Sequence, residues 1–445
     1  MRIEKLSLKN FRGFEELEID FPEGEGGLAV FIGVNGSGKT SILKAISYFF
    51  RDLIYGLYSS SEIKNRVVFD TTIFLDDGSL KEDIQKSTAY FYTKINFEIN
   101  NRKFLSDLEV GESYKKYFFD PPIDRIIGER EYENLSKKFK SEHDKEYFLE
   151  LQRLRDNIRK QPKIIVSYNA DRYVKDNPSL KAKDITKISP IDTFSNSFST
   201  NISFDDFFEW FRNTEDYESE NIRFNNDYEF RLKSLEAIRN TLATFLPKYS
   251  FPRVKRQPTE QLVLQDNGHQ LSIANLSHGE RLVFAIIGDI IRRLSIANPK
   301  LENPCLGEGI VMIDEIEQHL HPSWQRTIIP NLRKTFPNIQ FIITTHSPQV
   351  LSNVPRENVF ILEDFKLVER TPHTFGRDTN SILYDLFGVE DRPPKSKAMI
   401  SELYTLIDAN NRKRAEEKLE ELKKDLGDDD REIMRAESYI ELMDD

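Results

Sequence analysis

Apolar and polar residues alternate in two short stretches near the N-terminus. Ile3, Leu6 and Leu8 stand among Glu4, Lys5 and Ser7, and Leu17, Ile19 and Phe21 alternate with Glu18 and Asp20, so two half-buried strands are expected. Asn10-Phe11-Arg12-Gly13-Phe14 between them reads as a turn, and the pair as a hairpin. After a Gly/Glu loop at 24–27, Leu28–Ile32 is wholly apolar, as a strand buried on both faces requires. From Ser41 to Leu57 the apolar positions Ile42, Ala45, Ile46 and Phe49 share one helical face. Residues 66–75 and 88–98 read as strands, 131–160 as a charged helix or helix pair, and Lys163–Tyr168 as a further buried strand.

Residues 171–225 are rich in Asp, Asn and Ser, with Pro178 and Pro190. They read as a loop-rich insertion holding an aromatic helix around Phe204, Phe207, Phe208, Trp210 and Phe211. A helix is expected over Ser234–Phe245. Gln261–Leu264 and Gln270–Ile273 flank Asp266-Asn267-Gly268, a hairpin signal. From Ser277 the order is helix, apolar strand 310–313, helix, apolar strand 340–344, the alternation of a parallel sheet covered by helices. Pro393-Pro394 opens a Glu/Lys-rich helical stretch. The expected division is 1–170 and 261–390 as two lobes of one α/β fold, 171–260 as an insertion and 391–445 as a helical interaction tail.

Composition narrows the classes. Of 445 residues, 38% are hydrophobic and 11% aromatic, enough to argue for a folded chain. A net charge of −11 excludes a general nucleic-acid coat, though a local basic patch remains compatible with it. Residues 137–163 hold nine Lys/Arg against five Asp/Glu, either a solvated helix face or a nucleic-acid or partner surface. A single cysteine, Cys305, excludes an internal disulfide and a Cys-rich zinc site. With no signal-peptide pattern and no apolar run approaching ~18 residues, a cytoplasmic protein with no membrane partner is expected.

Gly33-Val34-Asn35-Gly36-Ser37-Gly38-Lys39-Thr40 fits a phosphate loop, and it sits between an apolar strand and a helix, as that motif needs. Asn35, Gly36, Ser37, Gly38 and Ser41 would line the nucleotide. Lys39 would reach its β/γ phosphates, and Thr40 would bind Mg²⁺. Ile310-Val311-Met312-Ile313-Asp314-Glu315 places two carboxylates at the C-terminal end of a strand, where ligand sites of α/β sheets lie. Asp314 suits Mg²⁺ and Glu315 an attacking water. Leu276-Ser277-His278-Gly279-Glu280 opens a helix. Ser277 and Gly279 there form either an anion site or, with Glu280, a capping box, and both can hold at once. His346 ends the strand at 340–344, as a donor to a terminal phosphate or as a satisfied loop histidine. Glu317, His319 and His321 lie in one short loop without a remote third ligand, which argues against a metal site.

The order of these four motifs resembles the ABC-type ATPases. Asn10–Phe14, with Arg12 as a further nucleotide-side residue, is similar to the RecF, SMC and OLD branch. Asp314-Glu315-Ile316-Glu317-Gln318-His319-Leu320-His321-Pro322 and Gly376-Arg377-Asp378-Thr379-Asn380-Ser381-Ile382-Leu383 resemble the stand-alone bacterial ATPases of the Septu PtuA type. The resemblance covers roughly residues 1–50 and 260–445. It implies an ABC-type P-loop fold of parallel sheet, antiparallel subdomain, helical insertion and helical tail. It also implies ATP and Mg²⁺ as cofactors, Glu315 and His346 as catalytic residues, and dimerisation or higher assembly through the ATP sites. The implied role is an anti-phage ATPase controlling a separate HNH-type nuclease, with nucleic acid as a further partner class. The alternative is a RecF-like DNA-repair ATPase. No sustained heptad run separates the phosphate loop from the Asp314 strand, so SMC-type arms are not expected. The 57 residues after Gly388 contain no His or Cys and are too few for the Toprim nuclease of OLD proteins, so no nuclease is expected in the tail.

Overall fold

The computed structural model describes residues 1–22, 27–58, 90–99, 102–111, 158, 160, 162–181, 188–199, 204–369 and 371–443. The expected strand at 66–75 and nearly all of the charged segment 131–160 lie outside them.

The N-terminal hairpin forms as the alternation requires, from β1 (Arg2–Phe11) and β2 (Phe14–Asp20), with Leu6 opposite Ile19 and Leu8 opposite Leu17. Arg12 turns the chain in a left-handed conformation, φ 52°. Next come the wholly buried β3 (Leu28–Ile32) and α1 (Lys39–Tyr58). The strand expected at 88–98 is β4 (Tyr90–Ile99), and it pairs with both β1 and a strand the apolar pattern did not disclose, β5 (Arg102–Gly111). After β6 (Ile164–Tyr168), the insertion is more helical than its polar composition suggested. Its helix α2 runs 21 residues (Asp205–Asn225), burying Phe207, Phe208 and Phe211. Helix α3 (Lys233–Phe245) leads into the antiparallel β7 (Tyr249–Lys255), β8 (Gln261–Asp266) and β9 (His269–Ser272). Asn267 and Gly268, both at positive φ, make the turn between the last two, as a tight hairpin demands.

The dense C-terminal pattern becomes α4 (His278–Ala297), β10 (Gly309–Ile313), α5 (Pro322–Thr335) and β11 (Ile339–Thr344). A one-turn helix, α6 (Pro348–Leu351), precedes β12 (Val359–Glu363) and β13 (Lys366–Leu367). Among the described residues, the main sheet runs β13-β12-β3-β11-β10-β6, parallel except for β13. The four-stranded antiparallel sheet runs β2-β1-β4-β5. Ile42, Ile46, Phe49 and Phe50 of α1 share one buried cluster with Leu6, Leu8 and Phe14 of the hairpin and with Phe31, Met312 and Ile342 of the main sheet. Each such side chain contributes about 1.5–3 kcal/mol. This is an α/β P-loop fold with an antiparallel subdomain. Parallel strands share one C-terminal edge, so the ends of β3, β6, β10 and β11 all open on the same side, and the site is built there.

Two compact units divide the chain, Met1–Gly376 and Arg377–Asp445. The second holds α7 (Thr379–Phe387), α8 (Pro394–Asp408), α9 (Arg412–Leu426) and α10 (Arg431–Glu441). Leu403, Ala415, Leu422, Ile433 and Ala436 form its own buried core.

Candidate active site at the C-terminal edge of the parallel sheet

The loop Gly33–Gly38 leaves β3 in a conformation that depends on glycine. Gly33 has φ 149°, and a Cβ there would lie 2.2 Å from the Leu362 carbonyl oxygen. Gly36 (φ 85°) faces open space. Lys39, at the start of α1, donates from Nζ to the carbonyl oxygens of Gly33 and Val34, both at 2.9 Å, so the ammonium is held under the loop. Burial pulls its pKa below the ordinary lysine value, while Asp314, Glu315 and Glu317 pull the other way. The Ser37 hydroxyl is buried in the same loop with no hydrogen-bond partner among the described residues. A wrapped loop with a buried lysine and an unused hydroxyl fits polyphosphate oxygens.

Residues far apart in sequence meet at the next position. Thr40 Oγ1 donates to the Asp314 carboxylate, at 3.0 and 3.2 Å to its two oxygens. Thr344, fully buried at the end of β11, donates from Oγ1 to Asp314 Oδ1 at 2.5 Å and accepts from the Glu315 backbone N–H at 2.8 Å. One threonine thus fixes both the first carboxylate and the backbone of the second. A hydroxyl and a carboxylate are hard oxygen donors of the kind Mg²⁺ takes, and Thr40 with Asp314 could hold that ion. Glu315 sits in the left-handed region, φ 46°. Burial raises its pKa, the neighbouring Asp314 and Glu317 carboxylates raise it further, and Arg172 and Lys39 oppose them. A carboxylate so raised is a stronger base than a free one, which suits it to take a proton from water.

Glu317 performs a task that no sequence signal assigned. Its carboxylate accepts from the Thr345 hydroxyl at 2.7 Å and from the His346 backbone N–H at 2.6 Å, fastening the β11 exit loop to the Asp314 loop. Burial lowers the His346 pKa, reinforced by Lys39 and opposed by Glu317 and Asp314. Arg12 reaches Ser41 Oγ at 3.5 Å, which places it beside the start of α1.

Ser277 caps α4 in a capping box: its hydroxyl accepts from Glu280 N–H at 3.3 Å, and its own N–H donates to Glu280 Oε2 at 2.8 Å. Glu280 is in turn held by the Tyr249 hydroxyl at 2.7 Å. Gly279 packs so tightly that a Cβ would lie 2.1 Å from the His319 carbonyl oxygen. Among the described residues, no hydrogen bond joins Ser277 or Gly279 to the phosphate loop of the same chain. His321 caps α5, its Nδ1 accepting from Ser323 N–H. Among the described residues, no group of three or more metal-ligating side chains is found. No helix there is long and apolar enough to cross a membrane.

Arg172 was not marked by any motif either. Buried beyond β6, it donates to the backbone carbonyls of both Asp314 and Glu315. Its signal in the sequence is faint: one arginine in the Asp/Asn/Ser-rich stretch after an apolar strand.

Fold and site together define a P-loop ATPase with its phosphate loop and carboxylate strand joined at one sheet edge. Residues 28–352 match the family described as "AAA domain, putative AbiEii toxin, Type IV TA system", and the chain belongs to that family. It is 30% identical over 433 residues to the retron Vc95 probable ATPase of Vibrio cholerae serotype O1 biovar El Tor, covering 86% of this chain and 78% of that one. It is 29% identical over 453 residues to the retron Ec83 probable ATPase of Escherichia coli, covering 89% and 78%. The Septu protein PtuA of Bacillus thuringiensis is 24% identical over 432 residues, covering 92% and 90%. The expected kinship with defence-type P-loop ATPases is therefore met in sequence relatives along nearly the whole chain.

Proposed function

We propose that this chain binds Mg·ATP and hydrolyses it to ADP and phosphate at sites shared between two copies, and that its nucleotide state controls a separate nuclease effector in an antiviral defence complex. The observation that carries the ATPase reading is the Thr40–Asp314 contact, which joins the phosphate loop to the carboxylate strand across 274 residues of sequence. The retron and Septu names of the relatives support the defence role.

In this reading the Gly33–Gly38 backbone, Ser37 and Ser41 cradle the phosphates, and Arg12 flanks them. Asn35 lies on the outer turn of the loop. Lys39 leaves the Gly33 and Val34 carbonyls and turns its charge to the β/γ oxygens. Thr40 and Asp314 would hold Mg²⁺, which would supply charge neutralisation at the phosphates. Glu315 takes the proton of the attacking water while the water oxygen bonds to the γ-phosphorus and the bond to the β-γ bridging oxygen breaks. His346 donates to the γ-phosphoryl oxygens. Helix α4 is 20 residues long, and its N-terminus at Ser277 and Gly279 would serve as an anion site. We assign that end to the γ-phosphate held by the partner copy. The helices of 391–445, with their own core and the exposed Met434 and Leu442, are assigned to effector contact.

Mixing tests the shared site. Lys39→Ala should abolish ATP binding in calorimetry, and Ser277→Arg should bind ATP without turnover. Mixed protomers retain one intact site, so partial hydrolysis should return. Unchanged ATP affinity in Lys39→Ala would refute the ATP site, and full activity of Ser277→Arg alone would refute the role of Ser277 in trans.

A further inference from the structure

Arg172 is 3% exposed, yet it forms no ion pair among the described residues. All of its hydrogen bonds there go to backbone carbonyls. Nη1 donates to Asp314 O at 2.5 Å and to Asn169 O at 2.9 Å, and Nη2 donates to Glu315 O at 2.9 Å. Its Nε–H is buried without a partner among the described residues. Beside it lies a cavity of about 20 Å³ whose other walls include Leu282, Val283 and Ile286 of α4 and Ile328 and Leu332 of α5. For stability alone this is a poor choice of residue. A buried cation bonded to no carboxylate is costly, an unpaired N–H adds to the cost, and a methionine or leucine would fill the gap with apolar atoms.

The geometry gives the arginine a different use. The peptides it grips belong to the two carboxylates of the site, and the second of them, Glu315, stands in a left-handed conformation that side chains with a Cβ adopt at a cost. From the other side, Thr344 accepts the Glu315 N–H. The turn is thus held between a guanidinium on its carbonyls and a hydroxyl on its amide. Two adjacent carbonyls need two N–H donors in a fixed fork. A guanidinium has that shape, whereas an ammonium is a single point.

We infer that Arg172 is a positioning residue for hydrolysis: by clamping the carbonyls of Asp314 and Glu315 it holds the turn that aims both carboxylates at the phosphate loop. Among the described residues its side chain bonds only to the carbonyls of Asn169, Asp314 and Glu315 and to no residue of the Gly33–Thr40 loop. Its loss therefore acts on the chemical step rather than on the grip of the loop on ATP, because a misplacement of about 1 Å at a reacting group costs on the order of 100-fold in rate. The inference rests on the ATPase reading above.

The test uses the full-length protein with Mg·ATP and three variants: Arg172→Gln, Arg172→Lys and, as control, Lys39→Ala. ATP affinity and binding stoichiometry come from calorimetry, and kcat is expressed per ATP-binding site, so that misfolded protein drops out. Arg172→Gln keeps one amide donor and should lose roughly 30- to 100-fold in kcat, with Kd and KM within about threefold of the parent. Arg172→Lys should lie between, at roughly tenfold. A kcat per site within threefold of the parent in Arg172→Gln would overturn the inference, as would a Kd weakened in step with kcat. If Arg172→Gln does not fold, the lysine variant decides: parental kcat per site overturns the inference, and reduced kcat at unchanged Kd supports it. No turnover in the parent, or undiminished ATP affinity in Lys39→Ala, would instead overturn the ATPase reading, and the inference with it.

Discussion

Replacing Thr344 with valine keeps the branched shape and removes one oxygen. That oxygen serves two carboxylate residues at once, donating to Asp314 at 2.5 Å and accepting from the Glu315 N–H at 2.8 Å. The bond to an ionised partner contributes about 1.5–3 kcal/mol, and stranding a buried N–H costs about 1–3 kcal/mol. Asp314 keeps its bond from Thr40, so the sum falls at about 3–5 kcal/mol rather than at the upper extreme. Thr344→Ser retains the hydroxyl and loses one buried methyl, about 1 kcal/mol. Urea unfolding of the two variants beside the parent, followed by circular dichroism, measures the difference. Hydrolysis should fall with the valine and largely survive with the serine, because the hydroxyl aims the carboxylates. A valine variant within 1 kcal/mol of the parent, or less harmful than the serine, would refute the reasoning.

Asp289 is fully buried and accepts from Arg292, Arg293 and the Tyr168 hydroxyl. Burial alone would raise its pKa, but Arg293, Arg292 and the hydrogen bonds outweigh that and hold it down to about 2, against an ordinary 3.8. A depressed carboxylate stabilises the fold above its unfolded value and loses that contribution as pH falls from about 4 to about 2, a change of about 2 kcal/mol. Asp289→Asn should therefore be less stable than the parent at pH 7, with the gap in urea midpoints narrowing through that window, and a gap independent of pH would count against this account. Gly279→Ala places a Cβ against the His319 carbonyl, so it should cost about 1–3 kcal/mol and slow hydrolysis by displacing the start of α4. Parental stability and activity in that variant would show that the contact yields freely.

The site was legible in the sequence wherever its chemistry is local. A phosphate loop needs glycines, a lysine and a hydroxyl within eight consecutive positions, because one turn of chain and one helix start make the whole cradle, and Gly33–Thr40 shows it. Asp314 and Glu315 were legible for a related reason: an apolar strand must end somewhere, and carboxylates at its end face the sheet's ligand edge. The serine cap at Ser277 was read as both cap and anion site, and the capping box is present in the fold.

Long-range pairing was not legible. Strand β5 was missed because its apolar and charged residues follow no simple alternation, and β4 supplies the partner that makes it a strand. Strand β12 joins the main sheet only because β3 offers an edge. The aromatic helix expected around Phe207–Phe211 is α2, but its length to Asn225 was not legible, because its later turns are polar and tertiary packing rather than propensity secures them. The supporting residues were equally silent. Thr344, Glu317 and Arg172 act through hydrogen bonds to residues 28 to 143 positions away, and such bonds leave no period and no spacing rule in the chain. The sequence by itself marked the groups proposed to meet phosphate, metal and water, since each must stand in a fixed local frame. Only the tertiary structure decided what holds those groups in aim, because a hydrogen bond across a folded core depends on where the strands end in space.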